Sequence, residues 1–526
     1  MEKEDKAPPL PDSGEIVLVK KIVFTGYEGI TTEVELQELV HTSIGKKLGI
    51  TELRQITSTV TRYLREIKGY PLAQAYLPEQ DITEGSITIA ILPGRIDGKV
   101  EIRIKEPGRI NPSLLEGIAN RAIPEDRPLR MERIERAVLL MNDLPGISAR
   151  ASLEPGSETG STRVIVNTTE GPLFEGILSG DTYGDRYTGV YRATGQIFAL
   201  DAFGLGDQIG LSFTGAKDLT LSHISYGVPL GSSGLAWDIA YDDLRYKLGK
   251  ELEVLDAEGK ARNLTTTLQY PVIRTRKASL GTGIGLEHLM LEDEANDIKT
   301  CNRELLVGSA FVSGTFYDTF FGGGLTNASL TLTGGDADLS GCASNEAIDN
   351  AGAGTSGNFF RGNYSLARLQ RVTGAVSLFG FVRGQVASGN LDSSQKFILG
   401  GPSGVRAYPV SEAPGDEGHL FSLETRVDLP FTLSWATAQL VGFFDTGYIR
   451  QHKEPWSGSI TTATGKNDYW LHGPGVGITM GKAGVYRFGI SYAHTIGAND
   501  GESANGKDAD NLDDNGRFWC NLTIWL

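Results

Sequence analysis

The sequence predicts two α+β modules of βααββ order followed by a sixteen-stranded antiparallel transmembrane β-barrel, and three observations lead there. From Phe174 to the C-terminus the chain alternates apolar with small or polar residues at a period of two. The connections in that region alternate between short turns and long polar loops. Before it, one order of strands and helices runs through twice.

Composition narrows the class of protein. The chain has 526 residues, 67 of them glycine, and a formal charge of −16; its mean hydropathy of −0.16 is too polar for a bundle of membrane helices. No run of 18 apolar residues occurs, and the nearest candidate, Trp435 to Phe444, is short and interrupted by Thr437 and Gln439. A barrel escapes that test, because its strands show one lipid-facing residue in two. The start, Met1-Glu2-Lys3-Glu4-Asp5, is charged and has no apolar segment, so the expectation of an outer-membrane location rests on the barrel. The acidic balance argues against nucleic acid as a partner. Three cysteines make no disulfide framework and no metal-ligand spacing, and no cofactor motif is present.

Residues 1–14, ending in Pro8-Pro9-Leu10-Pro11-Asp12-Ser13-Gly14, read as an extended tail. The first module, 15–97, opens with a strand carrying Leu18, Ile22 and Phe24. A helical pattern from Glu33 to Leu39 follows, then a second helix from Thr51 with Leu53, Ile56, Val60 and Leu64 on one face, ending at Gly69. Strands at 73–77 and around Ile87, Ile89 and Ile91 close it. The second module, 98–172, repeats the order. A strand near 100–104 leads to a helix at 112–119 and another from Leu129 with Met131, Ile134, Val138 and Leu139 on one face; strands at 148–153 and 163–166 complete the module.

The region 173–526 is the barrel. Ile209, Leu211 and Phe213 oppose Gln208, Gly210 and Ser212; Trp237, Ile239 and Tyr241 oppose Asp238, Ala240 and Asp242. Short turns are expected at 204–207, 231–234, 274–278, 317–320, 371–375 and 481–484. Long polar loops are expected at 249–262, 292–302, 336–357, 391–418, 451–468 and 496–517. Outer-membrane barrels put short turns in the periplasm and long loops outside, which sets the orientation. A soluble sandwich would not segregate loop lengths in this way. The final strand ends with Trp519, Asn521, Thr523 and Trp525 on one face and Phe518, Cys520, Leu522, Ile524 and Leu526 on the other.

Specific motifs add a resemblance. The stretch Gly69-Tyr70-Pro71-Leu72-Ala73-Gln74-Ala75-Tyr76-Leu77-Pro78-Glu79-Gln80-Asp81-Ile82 resembles the signature of a first POTRA domain, and Leu144-Pro145-Gly146 with Leu153-Glu154-Pro155-Gly156 resembles that of a second. Leu399-Gly400-Gly401-Pro402-Ser403-Gly404-Val405-Arg406-Ala407-Tyr408-Pro409 resembles the tip of an inward-folding loop, about 391–418 in this chain. Together these resemble the two-partner secretion transporters (TpsB; haemolysin secretion/activation family) of the POTRA-barrel superfamily, over nearly the whole chain. Ala407 stands where that family's Val-Arg-Gly-aromatic tip has glycine, which limits positive φ at this position. Fewer than fifteen residues precede the first strand, so the plug helix of many relatives is not expected in this chain as given.

The resemblance implies site residues. The tip Val405-Arg406-Ala407-Tyr408 would sit in the lumen, with Asp445 of Val441-Gly442-Phe443-Phe444-Asp445-Thr446-Gly447 as the partner of Arg406. A guanidinium fork holding a carboxylate would pin the tip to the wall; a solvated loop arginine and an unrelated aspartate are the alternative. Strand edges of the two modules are candidate client-binding sites, through Ala73, Ala75, Tyr76 and Leu77 in the first and Ala149, Ala151 and Leu153 in the second, since an extended segment can add to such an edge. The alternative is that the modules only space the barrel from its surroundings. Cys301 and Cys342, in successive external loops, form a candidate disulfide in an oxidising compartment, against two unpaired thiols. Cys520 reads as a small apolar residue on the lipid side.

Three other features carry no site. Gly281-Thr282-Gly283-Ile284-Gly285 lies in a strand and precedes no helix. The run Asp508, Asp510, Asp513 and Asp514 reads as a solvated loop rather than a Ca²⁺ site, and the seven histidines are scattered. The expected function is ATP-independent export of one large exoprotein of the TpsA type, recognised by its N-terminal secretion domain. The expected setting is a monomer in outer-membrane lipid and lipopolysaccharide, with no enzymatic activity. The competing readings are a barrel-assembly factor of the same superfamily and a diffusion porin.

Overall fold

The computed structural model describes residues 16–106, 108–125, 127–157, 161–341, 343–430 and 435–526. The expected tail at 1–14, and with it the matter of a plug helix, lies outside the described residues. Two compact units result: residues up to Gly171 apart from 144–146 form one, and 144–146 with Pro172–Leu526 form the other.

In the first module, Lys21–Thr25 pairs in parallel with Ser86–Leu92, which pairs antiparallel with Gln74–Tyr76. Two helices, α1 (Glu33–Val40) and α2 (Ile50–Arg62), cover one face. Alternation puts Ile22 and Phe24, and Ile87, Ile89 and Ile91, in the core against Leu36, Val40, Leu53, Val60 and Leu64. A capping box starts α1: Thr32 Oγ1 accepts from the Glu35 amide, and Glu35 accepts from the Thr32 amide. In the second module, Arg95–Ile96 and Glu101–Ile104 both run parallel to Ser161–Glu170, which pairs antiparallel with Ile147–Pro155. Helices α3 (Pro112–Ala122) and α4 (Met131–Asn142) complete it. The buried stripe of α4 is Ile134, Ala137, Leu140 and Met141, whereas Met131 is exposed and Val138 and Leu139 are half-buried. The expected stripe was weighted toward bulky side chains; the small, fully buried Ala137 sets the true centre.

The barrel closes through sixteen antiparallel strands. They are β1 (Phe174–Asp181), β2 (Arg192–Leu200), β3 (Gln208–Gly215), β4 (Leu219–Pro229), β5 (Ala236–Lys247), β6 (Glu258–Arg274), β7 (Ala278–Ala295) and β8 (Ile298–Asp318). The second half is β9 (Gly324–Asp338), β10 (Gly357–Arg371), β11 (Val376–Ala387), β12 (Glu417–Asp428), β13 (Thr437–Arg450), β14 (Asp468–Lys482), β15 (Tyr486–His494) and β16 (Gly516–Trp525). β16 returns to β1, with Ile177 opposite Trp525 and Asp181 opposite Asn521. Leu211, Phe213, Ile224, Ile284 and Leu286 point outward and are exposed, as a lipid-facing surface requires. A row of Tyr364, His419, Tyr448 and Trp470 on successive outward registers adds an aromatic band near the loop end of the wall.

Several expected loops are strand instead. β7 runs to Ala295 and β8 starts at Ile298, so 292–302 is a tight hairpin turning on Asn296 (φ 49°) and Asp297 (φ 61°). Cys301 therefore sits on a strand. β6 begins at Glu258, after a short 3₁₀ turn at Lys250–Leu255, and the loop after β9 contains the helix Ala343–Ala351. The 21 residues of β8 exceed the roughly 9–11 that cross a bilayer, so its far end stands in water. Charge there conceals a strand from any reading tuned to lipid-facing alternation.

One surface pair in the first module has a pH consequence. Glu35 accepts from Lys68 Nζ at 2.6 Å and from Thr31 Oγ1 at 2.8 Å, and the Lys68 ammonium is the leading cause that holds its carboxyl down to about 2. A depressed carboxyl stabilises the fold above its unfolded value and loses that effect as pH falls toward the folded one. Glu35→Gln should therefore lower the melting temperature slightly at pH 6, and the gap should close between about pH 4.5 and 2 in paired thermal melts.

Candidate functional site: a loop tip clamped in the lumen

The segment 388–416, between β11 and β12, doubles back on itself. Phe397–Ile398 pairs with Pro414–Gly415, and the Gly400 amide continues the ladder to the Glu412 carbonyl at 3.0 Å. At the tip, the Val405 amide reaches the Leu399 carbonyl at 2.8 Å and the Tyr408 amide reaches Val405 at 3.1 Å. Gly404 is needed for this tight turn, because a Cβ on it would collide with the Leu399 carbonyl. Leu399, Val405, Ala407 and Tyr408 are almost fully buried against Leu420, Phe443, Ile449, Tyr469 and Leu471 of the wall. The tip is thus a small hydrophobic core built inside the lumen.

Register decides which wall residues meet it. In β12 and β13, Ser422 lies opposite Asp445 and Glu424 opposite Phe443. Their neighbours Phe421, Leu423 and Phe444 are exposed on the outer face, so Ser422, Glu424, Phe443 and Asp445 face inward.

Arg406 lands on that set. Its Nε donates to Asp445 Oδ2 at 2.7 Å and its Nη2 to Oδ1 at 2.8 Å, the bidentate fork. Nη1 donates to Glu424 Oε1 at 2.8 Å, and Nη2 also reaches Ser422 Oγ at 3.2 Å. The guanidinium carbon lies 3.4 Å from the centroid of the Phe443 ring. Asp445, fully buried, accepts in addition from the Arg406 amide at 3.1 Å and from Ser422 Oγ at 2.7 Å. All four acceptor positions of the carboxylate are then used, the condition under which a buried charge is tolerable. Lysine has neither the fork nor the flat face to reproduce this.

The last strand joins the same tip. Trp519, buried on β16, donates from Nε1 to the Arg406 carbonyl at 2.7 Å, and Tyr183, just past β1, packs edge-on against its ring. Higher in the loop, the buried Glu412 accepts from Asn499 Nδ2 at 2.9 Å and from the Ala509 amide at 2.6 Å, both in the loop between β15 and β16.

Ala407 needs no strain, since the positive φ values of this segment fall on Gly401, Ser411 and Ala413. Its methyl group takes the space left by Gly473 on β14, where a Cβ would overlap it.

The strand-edge candidates divide. Ala73 and Ala75 are buried in the first module's core, Tyr76 is exposed and Leu77 packs against the core. The open edge of Gln74–Tyr76 is occupied: the Ala75 amide donates to Thr61 Oγ1 at 2.9 Å, and Arg65 Nε donates to the Ala73 carbonyl at 2.9 Å. In the second module Ile147–Pro155 is an edge strand. Asn142 caps it at Ala149, accepting from the amide at 2.8 Å and donating to the carbonyl at 3.0 Å. Because alternate residues of an edge point the same way, Ala151 and Leu153 aim their main chain outward as Ala149 does. Both are exposed, and no hydrogen bond reaches that side of them among the described residues. Cys301 is buried, with its Sγ 3.1 Å from Asn345 Nδ2; Cys342 lies outside the described residues, so the pairing is not placed.

Glu424, Ser422, Phe443 and Trp519 were not among the expected site residues. Their signal was the inward register of the strands beside the tip motif, legible only once the register is known.

Two α/β modules ahead of a sixteen-stranded barrel, with a folded-in loop clamped by an arginine, define a POTRA-bearing outer-membrane β-barrel with its modules in the periplasm. The family model of haemolysin secretion/activation proteins (ShlB/FhaC/HecB) matches residues 160–479, and that of the ShlB-type POTRA domain matches 17–94. The chain belongs to this haemolysin secretion/activation family and is an outer-membrane transporter that carries an exoprotein outward. It is 28% identical over 494 residues to the heme/hemopexin transporter protein HuxB of Haemophilus influenzae (strain 86-028NP), covering 93% of this chain and 83% of the relative. It is 24% identical over 472 residues to the outer membrane transporter CdiB of Escherichia coli O6:K15:H31, covering 87% and 73%. Among solved structures, CdiB from Escherichia coli shares the fold, with a TM-score of 0.74 at 20% identity over 99% of this chain and 93% of that one.

The shape match at Gly473 is open to a direct test. Gly473→Ala should push the tip off the wall, seen as new cleavage within 388–416 by protease added to intact cells. Ala407→Gly should leave the segment protected.

Proposed function

We propose that the chain binds an unfolded exoprotein segment on the outer edge of its second POTRA module and passes it through the barrel lumen, which the loop tip closes at rest. The carrying observation is the clamp: Arg406 is held by Asp445 and Glu424 inside a lumen that the hydrophobic tip partly fills. A resting pore of this size must be sealed and a working one opened, and the loop is the element placed to do both.

Recognition is assigned to Ala151 and Leu153. A client strand added at that edge would gain main-chain hydrogen bonds without displacing any, whereas the edge at Ala73 and Ala75 would first have to release Thr61 and Arg65. Folding of the client outside the cell supplies the drive, since the sequence has no nucleotide-binding motif. An assembly factor of the superfamily would carry more POTRA modules and lack the Leu144-Pro145-Gly146 signature, and a porin would need no POTRA modules.

Two variants test the two halves of this reading. Arg406→Ala should abolish client secretion while the barrel still inserts and keeps its heat-modifiable mobility on gels. Removing one partner of a buried pair costs about 3–5 kcal/mol, enough to undock the tip in most molecules. Ala151→Pro removes one outward N–H, at a place where an edge strand tolerates proline. It should leave the fold intact and weaken client capture about tenfold in pull-downs with a co-expressed exoprotein. Normal secretion by both variants would overturn the proposal.

A further inference from the structure

The lumen wall beside the clamp, on β11, has a different electrostatic character. At the clamp, Arg406 and Arg426 share Glu424. On β11, Arg383 also faces inward, opposite Ser365 of β10 and the buried Leu420 of β12. Among the described residues no hydrogen bond or ion pair reaches it. Its Nε is shielded from water and has no acceptor. Its guanidinium lies 5.2 Å from the centroid of Phe397, in the stem of the inward loop.

These residues line a recess of about 400 Å³ with Ser329, Thr331, Asn363 and Lys396. The other cation there is already neutralised, since Lys396 Nζ lies 2.8 Å from Asp416 Oδ1. The hydroxyls of Ser329 and Ser365 bond each other at 2.8 Å. The recess therefore carries one uncompensated positive charge, on a planar donor fork close to an aromatic ring. Shut off from water and without an acceptor, the Arg383 Nε is left with unmet hydrogen-bonding capacity even in a polar lumen. What it lacks is a carboxylate.

We infer that the Arg383 recess is a carboxylate-binding site that holds Asp or Glu side chains of an extended polypeptide in the lumen. Phe397 borders the guanidinium on one side, and the hydroxyl of the flanking Thr331 offers a further polar contact to the bound segment. The fork matches a carboxylate, which it can hold with two hydrogen bonds. This inference rests on the transport reading only for the source of the polypeptide; the site itself is a property of the purified barrel.

The experiment uses the full chain in a non-ionic detergent and two peptides with a neutral fluorophore, one of alternating Gly and Glu and one of alternating Gly and Gln, read by fluorescence anisotropy. The acidic peptide should bind the wild-type chain about tenfold more tightly than the neutral one, the size expected of one charge-assisted contact. Arg383→Gln should remove the difference and Arg383→Lys should keep part of it, with unchanged heat-modifiability showing an intact barrel. If Arg383→Gln does not fold, Phe397→Leu should reduce the preference for the acidic peptide by loosening the guanidinium. Equal binding of both peptides by the wild-type chain, or an undiminished preference in Arg383→Gln, overturns the site. Failure of the transport reading would appear separately, as lost relevance of Arg406→Ala to secretion with this binding preserved.

Discussion

The Arg406–Asp445 pair is the interaction on which the lumen's organisation depends. A sixteen-stranded barrel is too wide for its own wall side chains to fill. The interior must stay wet or be filled by something else, and the loop 388–416 fills part of it. Holding a charged tip there is possible because each charge is met in full, with four hydrogen bonds on the carboxylate and an aromatic face on the guanidinium. The apolar residues of the tip could not select this placement alone, since burial is non-directional. The pair supplies the direction and the hydrophobic cluster supplies the area.

Shape and charge cooperate along the docking wall. Lumen-facing glycines at 447, 473 and 475 leave space that Leu399, Ala407 and Phe443 occupy. The wall is therefore cut to fit the tip as well as charged to attract it. Beside that wall, β9 to β11 carry hydroxyls, an amide and Arg383, for which no partner is found among the described residues. The stem of the loop, at Phe397, borders both surfaces.

The modules show a similar division between covered and open structure. The short edge strand of the first is covered by Thr61 at the end of α2 and Arg65 in the turn that follows it, and that of the second is capped at Ala149 by Asn142 from α4. Edge strands invite unwanted pairing, and capping them is a common remedy. Leaving Ala151 and Leu153 uncapped is then a distinguishing feature of the second module. The candidate residues Ala73, Ala75, Ala149, Ala151 and Leu153 looked alike in sequence because strand alternation says which way a side chain points. It does not say what lies against the opposite edge.

Alternation, turn lengths and the repeated strand and helix order made the sixteen strands and the two modules legible in the sequence alone, because each depends on neighbours along the chain. The Arg-Ala-Tyr tip and its aspartate were legible as a motif for the same reason. The water-standing ends of β7 and β8 were hidden, since outside the bilayer nothing forces an apolar face. Only the tertiary structure decided that Glu424, Ser422, Phe443 and Trp519 complete the clamp, that Gly473 makes room for Ala407, and that Arg383 meets no partner among the described residues. Those facts depend on strand register and on where a folded-in loop comes to rest, and both are set by contacts between residues far apart in the chain.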